Sequence, residues 1–286
     1  MGVVGIIVVL ICVFGGFLGA GGHIHVIFQP FEVIIIGGAA LGGFIIANPM
    51  STIKMVVSKV IHALLGGGPS KTDYVELLQL LFQLFQVFRK DGPQAVEKHI
   101  EEPDSSEIFK AYPNFLKNHH AVDFLCDTMK ITLSADLSQY DVDDLLDQDI
   151  KVAHEEEHAA QHALQTVADA LPGLGIVAAV LGIVHTMDYL TAGVETIGHL
   201  VAAALVGTFL GVLMCYGFIG PIATKMGADI NAEGRYLSVI KAALVALQRG
   251  APPLVCVEFA RRSIYPNDRP SFEEMDTATK EGKKAA

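Results

Sequence analysis

The 286-residue sequence contains no tryptophan, only four cysteines, and 20 basic residues against 31 acidic ones. Each shortage excludes something. Without Trp, any aromatic belt at a membrane interface has to come from Tyr and Phe. Cys12, Cys126, Cys215 and Cys256 form no C-x-x-C pair, so they read neither as a disulfide framework nor as a zinc site. The formal charge of −11 argues against a nucleic-acid partner. Lys and Arg are missing altogether from Gly21–Pro30 and from Asp188–His199.

What is there is apolar. Hydrophobic residues make up 51% of the chain, too much for an ordinary soluble domain. Four runs stand out: Val3–Ala20, Val33–Ala47, Leu171–Met187 and Leu200–Ile219. A span needs about 17–25 apolar residues, so three suffice as they stand. The second stops at Asn48-Pro49 and suffices if Phe31 and Glu32 lie at the interface. The first lacks a positive leader region and reads as a retained span rather than a secretory signal. The expected fold class is all-α: a polytopic membrane protein with four transmembrane helices and a helical cytoplasmic domain. The expected organisation is spans one and two over 1–49, cytoplasmic helices over 50–167, spans three and four over 168–222, and cytoplasmic helices and tail over 223–286.

The basic residues set the orientation. Ten fall from Lys54 to Lys151 and ten from Lys225 to Lys284, none of them in the two short connectors. The positive-inside rule therefore puts both termini and the long middle segment in the cytoplasm. Gly15-x3-Gly19, Gly38-x3-Gly42 and Gly207-x3-Gly211 are small-xxx-small patterns, which let helix backbones approach closely in lipid.

The middle segment is helical by period. "DYVELLQLLFQLFQVFRKDG" carries Val75, Leu78, Leu81, Phe82, Phe85 and Phe88 at helical spacing. Ser70, three before Asp73, is a start signal, and Gly92-Pro93 a stop. Gly66–Ser70 is a linker; it lacks the G-x4-G-K-[ST] of a phosphate loop. Further helical pieces are expected at Gln94–Glu101, Phe115–Ser134, Val142–Gln165 and Lys225–Gln248. A break and short helix are expected within Ala251–Pro266, and the last fifteen or so residues read as a disordered tail. The acid-rich run Asp141–His158 is a solvated helix face.

His154-Glu155-Glu156-Glu157-His158 matches H-E-x-x-H, the zinc metalloprotease signature, and His162 extends the stripe. It is set aside. The match lies in an acidic polar run, no third ligand can be named, and a block of glutamates produces it readily. No G-x-S-x-G nucleophile elbow occurs.

A carboxylate in mid-membrane is the usual mark of a proton relay. Asp169 precedes Pro172 at the cytoplasmic end of the third run. Glu32, Asp188 and Glu195 are expected at or beyond the opposite end. If this protein moves ions, the titrating carboxylate must then come from another chain. The remaining polar groups are Thr208 within the fourth run and Tyr216 and Cys215 near its end. Pro172 opens the third run and Pro221 closes the fourth, as helix punctuation or as a paired hinge at the cytoplasmic mouth.

"DALPGLGIVAAVLGIVHTM", "VGTFLGVLMCYGFIGPIA", "IEEPDSSEIFKAYP" and "APPLVCVEFARRSIYPNDRPSFEEM" resemble the MotA family, the A subunits of bacterial flagellar motor stators. The likeness runs over nearly the whole chain. It implies five A subunits around the membrane helices of two MotB-like B subunits, which carry the ion-binding Asp. It implies no cofactor and no catalysis, only ion flow that drives rotation of the A ring against the rotor protein FliG, within membrane lipid. By position, Arg89 and Glu97 match the rotor-interacting charges, Pro172 and Pro221 the coupling prolines, and Thr208 the threonine facing the ion path. Tyr216 is assigned to the same path. Sodium-driven relatives carry a threonine where this chain has Ala179, so the resemblance points to H⁺ rather than Na⁺. The alternative within the same superfamily is an ExbB/TolQ-like proton-channel scaffold. The first two spans and "RPSF" speak against it.

Overall fold

The computed structural model describes residues 2–135 and 137–285, with side chains up to residue 279. All regular elements among the described residues are helical. They are α1 (Gly2–Gly19), α2 (Ile24–Ile27), α3 (Pro30–Ala47), α4 (Met50–Leu65), α5 (Lys71–Asp91), α6 (Pro93–Glu101) and α7 (Glu107–Lys110). Then come α8 (Pro113–Lys117), α9 (His119–Ser134), α10 (Gln139–Met187) and α11 (Val194–Leu213). A π-helical turn, Met214–Ile219, leads into α12 (Gly220–Gln248), followed by α13 (Pro253–Ser263) and α14 (Phe272–Ala285). Among the described residues, four helical stretches are long and apolar enough to cross a membrane: α1, the α2–α3 stretch, α10, and α11 continuing through α12. The chain forms two compact units, Met1–Gly67 with Glu156–Asp229, and Gly68–Glu155 with Ile230–Ala286.

The second unit is built on α5. Its start is a capping box: Ser70 N donates to Asp73 Oδ2 at 2.8 Å and Asp73 N donates to Ser70 Oγ at 3.4 Å. Its end is Gly92, whose φ of 88° leads the chain into Pro93. Between these, Tyr74, Leu77, Leu78, Leu80, Leu81, Phe82, Leu84 and Phe85 are buried, more of the circumference than a one-faced helix hides. The reason is that α6, α8, α13 and α14 pack on it from several sides. The expected Phe115–Ser134 helix is two helices. They divide at Asn118, whose Oδ1 accepts from Ala121 N at 3.2 Å and caps α9.

The expected disordered tail is instead α14, which packs against α5. Met275 and Ala278 are buried, and Gln79 Nε2 donates to Ala278 O at 3.0 Å. The "RPSF" stretch explains the order. Arg269 donates to Ile264 O and Arg262 O at the end of α13. Ser271 N then donates to Glu274 Oε2 at 2.6 Å, and Glu274 N to Ser271 Oγ at 3.1 Å, opening α14. Low sequence hydrophobicity concealed an amphipathic helix whose start is fixed by caps.

In α13, Glu258 accepts from Arg261 Nε at 2.7 Å and from Arg262 Nε at 2.6 Å. The Arg261 hydrogen bond, helped by Arg262, holds its carboxyl down from 4.5 to about 2. A carboxyl depressed by folding contributes stability above its unfolded value and loses it as pH falls through the folded one. The melting temperature of Glu258→Gln is therefore expected to depend less on pH than the parent's between about 4.5 and 2. Parallel melting curves for the two proteins would overturn this.

Two helix boundaries in the first unit differ from expectation. Pro172 does not open a helix; it sits inside α10, which runs unbroken from Gln139 to Met187. The local chemistry lacks a cap, because Asp169 Oδ1 accepts from Gln165 Nε2 at 2.8 Å rather than from the next turn's backbone. Pro172 leaves only the Ala168 carbonyl without its usual helical donor. Pro221 likewise does not close a helix. Gly220 N donates to Cys215 O, five residues back, so the π turn absorbs the register change. Pro221 then falls in the first turn of α12, where a missing N–H is tolerated.

Candidate functional site

The first unit places α10 against α11 through a seam of small residues. A Cβ on Gly175 would lie 2.8 Å from Gly207 O, and one on Gly211 would lie 2.6 Å from Leu171 O. A Cβ on Gly182 would meet Ala204 Cβ at 2.7 Å. Only hydrogen fits at these positions, so the two backbones touch, which is how helices associate in lipid. Gly207-x3-Gly211 thus behaves as its spacing predicts. The other two patterns differ: a Cβ on Gly15, Gly19, Gly38 or Gly42 would meet nothing within 4 Å in this chain. The partner half of the seam, Gly175, Ala178 and Gly182 on α10, was legible as small residues three and four apart.

Ala179 and Thr208 belong to this seam. A Cβ on Gly207 would stand 3.1 Å from Ala179 N, and one on Gly175 would stand 3.3 Å from Thr208 Cα. Thr186, one turn along α10 from Gly182, is buried and donates to Gly182 O at 2.8 Å. Tyr216 lies elsewhere. It is 73% exposed and lines a groove with Val9, Ala63, Leu64 and Pro221, between the π turn and helices α1 and α4. Pro221 shares that groove, whereas Pro172 is on α10 one residue past the carbonyl that Gly211 abuts.

Sequence reasoning did not foresee what one group touches. Glu32 was expected at the interface, at or beyond the end of the spans. Its side chain instead reaches the α10–α11 seam: Oε2 lies 2.6 Å from the position of a Gly207 Cβ, and Oε1 lies 3.6 Å from that of Gly182. Gly207 is 13 residues past the α11 start at Val194, roughly 20 Å along a helix. The physical reason is that α2 and α3 both pack on α11, which begins well before its apolar run, so the first turn of α3 meets α11 far from its end. The linear sequence carries no sign of that offset.

The charged candidates lie in the second unit. Arg89 and Glu97 are both exposed, at the end of α5 and on α6. Arg89 also holds the fold together locally, since its Nη2 donates to Gly250 O and, at 3.2 Å, to Ala251 O where α12 ends. Glu97 lines a groove with Gln94, Glu101, Lys130 and Ser134 between α6 and α9.

The H-E-x-x-H residues are engaged otherwise. His154 Nε2 is 3.1 Å from Asn231 Oδ1, and Glu157 accepts from Lys59 Nζ at 2.6 Å. Among the described residues, no group of three His, Cys, Asp or Glu side chains is placed to hold a metal.

Comparison with known proteins agrees with this arrangement. Residues 3–92 match the family described as motility protein A N-terminal, and residues 116–238 match the MotA/TolQ/ExbB proton channel family. Motility protein A of Salmonella typhimurium is 36% identical over 95% of this chain and 92% of its own. The fold is similar to that in the Campylobacter jejuni MotAB structure, with a TM-score of 0.78 at 16% identity over 95% of this chain and 98% of that one. It is also similar to that in the Bacillus subtilis flagellar MotAB stator complex, with a TM-score of 0.76 at 21% identity over 94% and 97%. The small-residue seam, the four spans and this identity over nearly full length lead to one conclusion: the chain belongs to the motility protein A family.

Proposed function

We propose that this chain is the A subunit of a proton-driven stator, with its termini in the cytoplasm and a partner B subunit supplying an intramembrane Asp. The supporting observation is the α10–α11 seam, which sets Ala179, Gly207 and Thr208 side by side in closely packed apolar helices. The α10 and α11 residues of this wall carry no charge, so they can hold a partner carboxylate in place by shape. By the family's pattern, five copies surround two B subunits in the inner membrane. The basic residues, absent from both short connectors, support the orientation. Protonation of the partner carboxylate near Thr208 changes its fit against α10 and α11. The interrupted backbone at Pro172 and the π turn before Pro221 give each of these helices a point at which to flex. Ala179, in place of a hydroxyl, favours H⁺ over Na⁺. Tyr216, on the groove beside Pro221, acts at the cytoplasmic end of that route. Exposed Arg89 and Glu97 meet complementary charges on the rotor protein FliG.

Two measurements test this. The double variant Arg89→Glu, Glu97→Lys is expected to reduce swimming below about a tenth of normal while membrane yield is kept. Because Arg89 also holds the Gly250 and Ala251 carbonyls, Arg89→Lys separates the roles. It keeps the charge, loses the fork, and is expected to swim. A swimming double reversal would sink the rotor contact. Motility that follows the sodium gradient and ignores the proton gradient would sink the choice of ion.

A further inference from the structure

Glu32 is the one acidic side chain that reaches the α10–α11 seam from α3, and nothing in the proposed function uses it. Its Oε2 is buried and has no hydrogen-bond partner. The residue as a whole is partly buried, in the first turn of α3. Ala178 Cβ and Oε2 converge on the bare Cα of Gly207, and Ala204 Cβ closes on Gly182 beside Oε1. One turn along α10 from Gly182, Thr186 Oγ1 donates to Gly182 O at 2.8 Å. A carboxylate in hydrocarbon is expensive, and one held in place marks an ion or proton path. The fit at one position is specific: a methyl on Gly207 would stand 2.6 Å from Oε2, so only glycine there admits the oxygen, whereas a methyl on Gly182 would meet Oε1 at an ordinary 3.6 Å.

We propose that Glu32 is a proton-carrying residue of the pathway, contributed by this chain itself, on the extracytoplasmic side of the partner carboxylate. It takes a proton from hydronium at the outer mouth, leaving water. It then gives that proton to the carboxylate that the B subunit presents beside Thr208, and returns to its anion. One O–H bond breaks as another forms, and one proton moves inward per cycle. The pathway then holds two carboxyls in series, one from each subunit. Gly207 is a positioning residue, since it admits the Glu32 oxygen beside Ala178 and Ala179.

The inference rests on the proton-driven reading above, and the test separates the two. The co-purified complex of A and B subunits is reconstituted in vesicles carrying an interior pH dye, and proton entry is followed under a potassium diffusion potential. Glu32→Gln keeps shape and hydrogen-bonding but carries no proton; it is expected to slow entry by at least about tenfold. Glu32→Asp keeps the carboxyl and is expected to restore part of the flux, with both variants co-purifying at parental yield. Parental flux in Glu32→Gln overturns the relay, and so does an Asp variant as inactive as Gln, which would mean packing alone. A parental complex that admits no protons overturns the proton reading itself, and the relay with it.

Discussion

Replacing Gly211 with valine is expected to abolish swimming and to prevent recovery of the subunit with its partner. A Cβ there would lie 2.6 Å from Leu171 O, 2.9 Å from Gly175 Cα and 3.1 Å from Gly175 N. All three are backbone atoms, so no rotamer change relieves the clash, and α10 must move off α11. In water a gain in buried area could offset part of that cost. In lipid the helices are held by close packing alone, and separating them forfeits it. Even one methyl at such a site costs about 1–3 kcal/mol, and valine adds two more carbons. Gly42→Val is the control. A Cβ at Gly42 meets nothing within 4 Å in this chain, so the subunit itself should still fold and insert. Swimming at the parental rate with Gly211→Val would show that the seam does not hold the subunit together.

The second large effect is expected in the other unit, for Phe85→Ala. Phe85 is fully buried on α5, in the cluster that joins α5 to α6, α8, α9, α12, α13 and α14. Deleting a buried phenyl ring costs about 3–5 kcal/mol in lost transfer energy and cavity formation. A domain's whole stability is about 5–15 kcal/mol, so this is a large share. Protease sites within the second unit should become cleavable well below the parental melting temperature. The membrane helices, in the other unit, should still insert. Phe272 is also aromatic but 56% exposed, and Phe272→Ala should shift cleavage by less than about 0.5 kcal/mol equivalent. Equal protease resistance of Phe85→Ala and the parent would contradict the core assigned to α5.

The two variants fail for opposite reasons. One overfills a contact between backbones in lipid, and the other empties a core that excludes water. Both reasons were partly visible in the chain. Gly207-x3-Gly211 announced a close approach, and the aromatic and leucine periodicity before Arg89 announced a buried helix. What was not visible was the partner of each contact. Gly15-x3-Gly19 and Gly38-x3-Gly42 have the same spacing as Gly207-x3-Gly211, yet only the last meets another helix of this chain. Spacing says that a surface permits approach; it does not say what approaches.

The prolines teach the same lesson about helix ends. A proline, a change of composition and a nearby acid suggested a start at Pro172. Side-chain caps start some helices: Ser70, Ser138 and Ser271 do this, each paired with an acid three residues later. Prolines start others without a cap, at Pro30, Pro93, Pro113 and Pro253, but each follows a residue whose backbone lies outside the helical region. Asp169 caps nothing and the residues before Pro172 stay helical, so α10 continues through the proline. The π turn ahead of Pro221 has no sequence signature at all, since it follows from which carbonyl Gly220 N reaches.

By itself, then, the sequence determined the class of the molecule. Apolar length required four spans, the distribution of Lys and Arg supports one orientation, and periodicity with serine caps set most of the helices outside them. These are local properties, carried by neighbours along one helix. Tertiary structure decided which small residues form a seam, that Arg89 is tied to the end of α12, that the final residues form a packed helix, and that Glu32 reaches Gly207. Each of these depends on the offset between elements distant in the chain. That offset is fixed by how side chains interlock when helices pack, which no run of consecutive residues records.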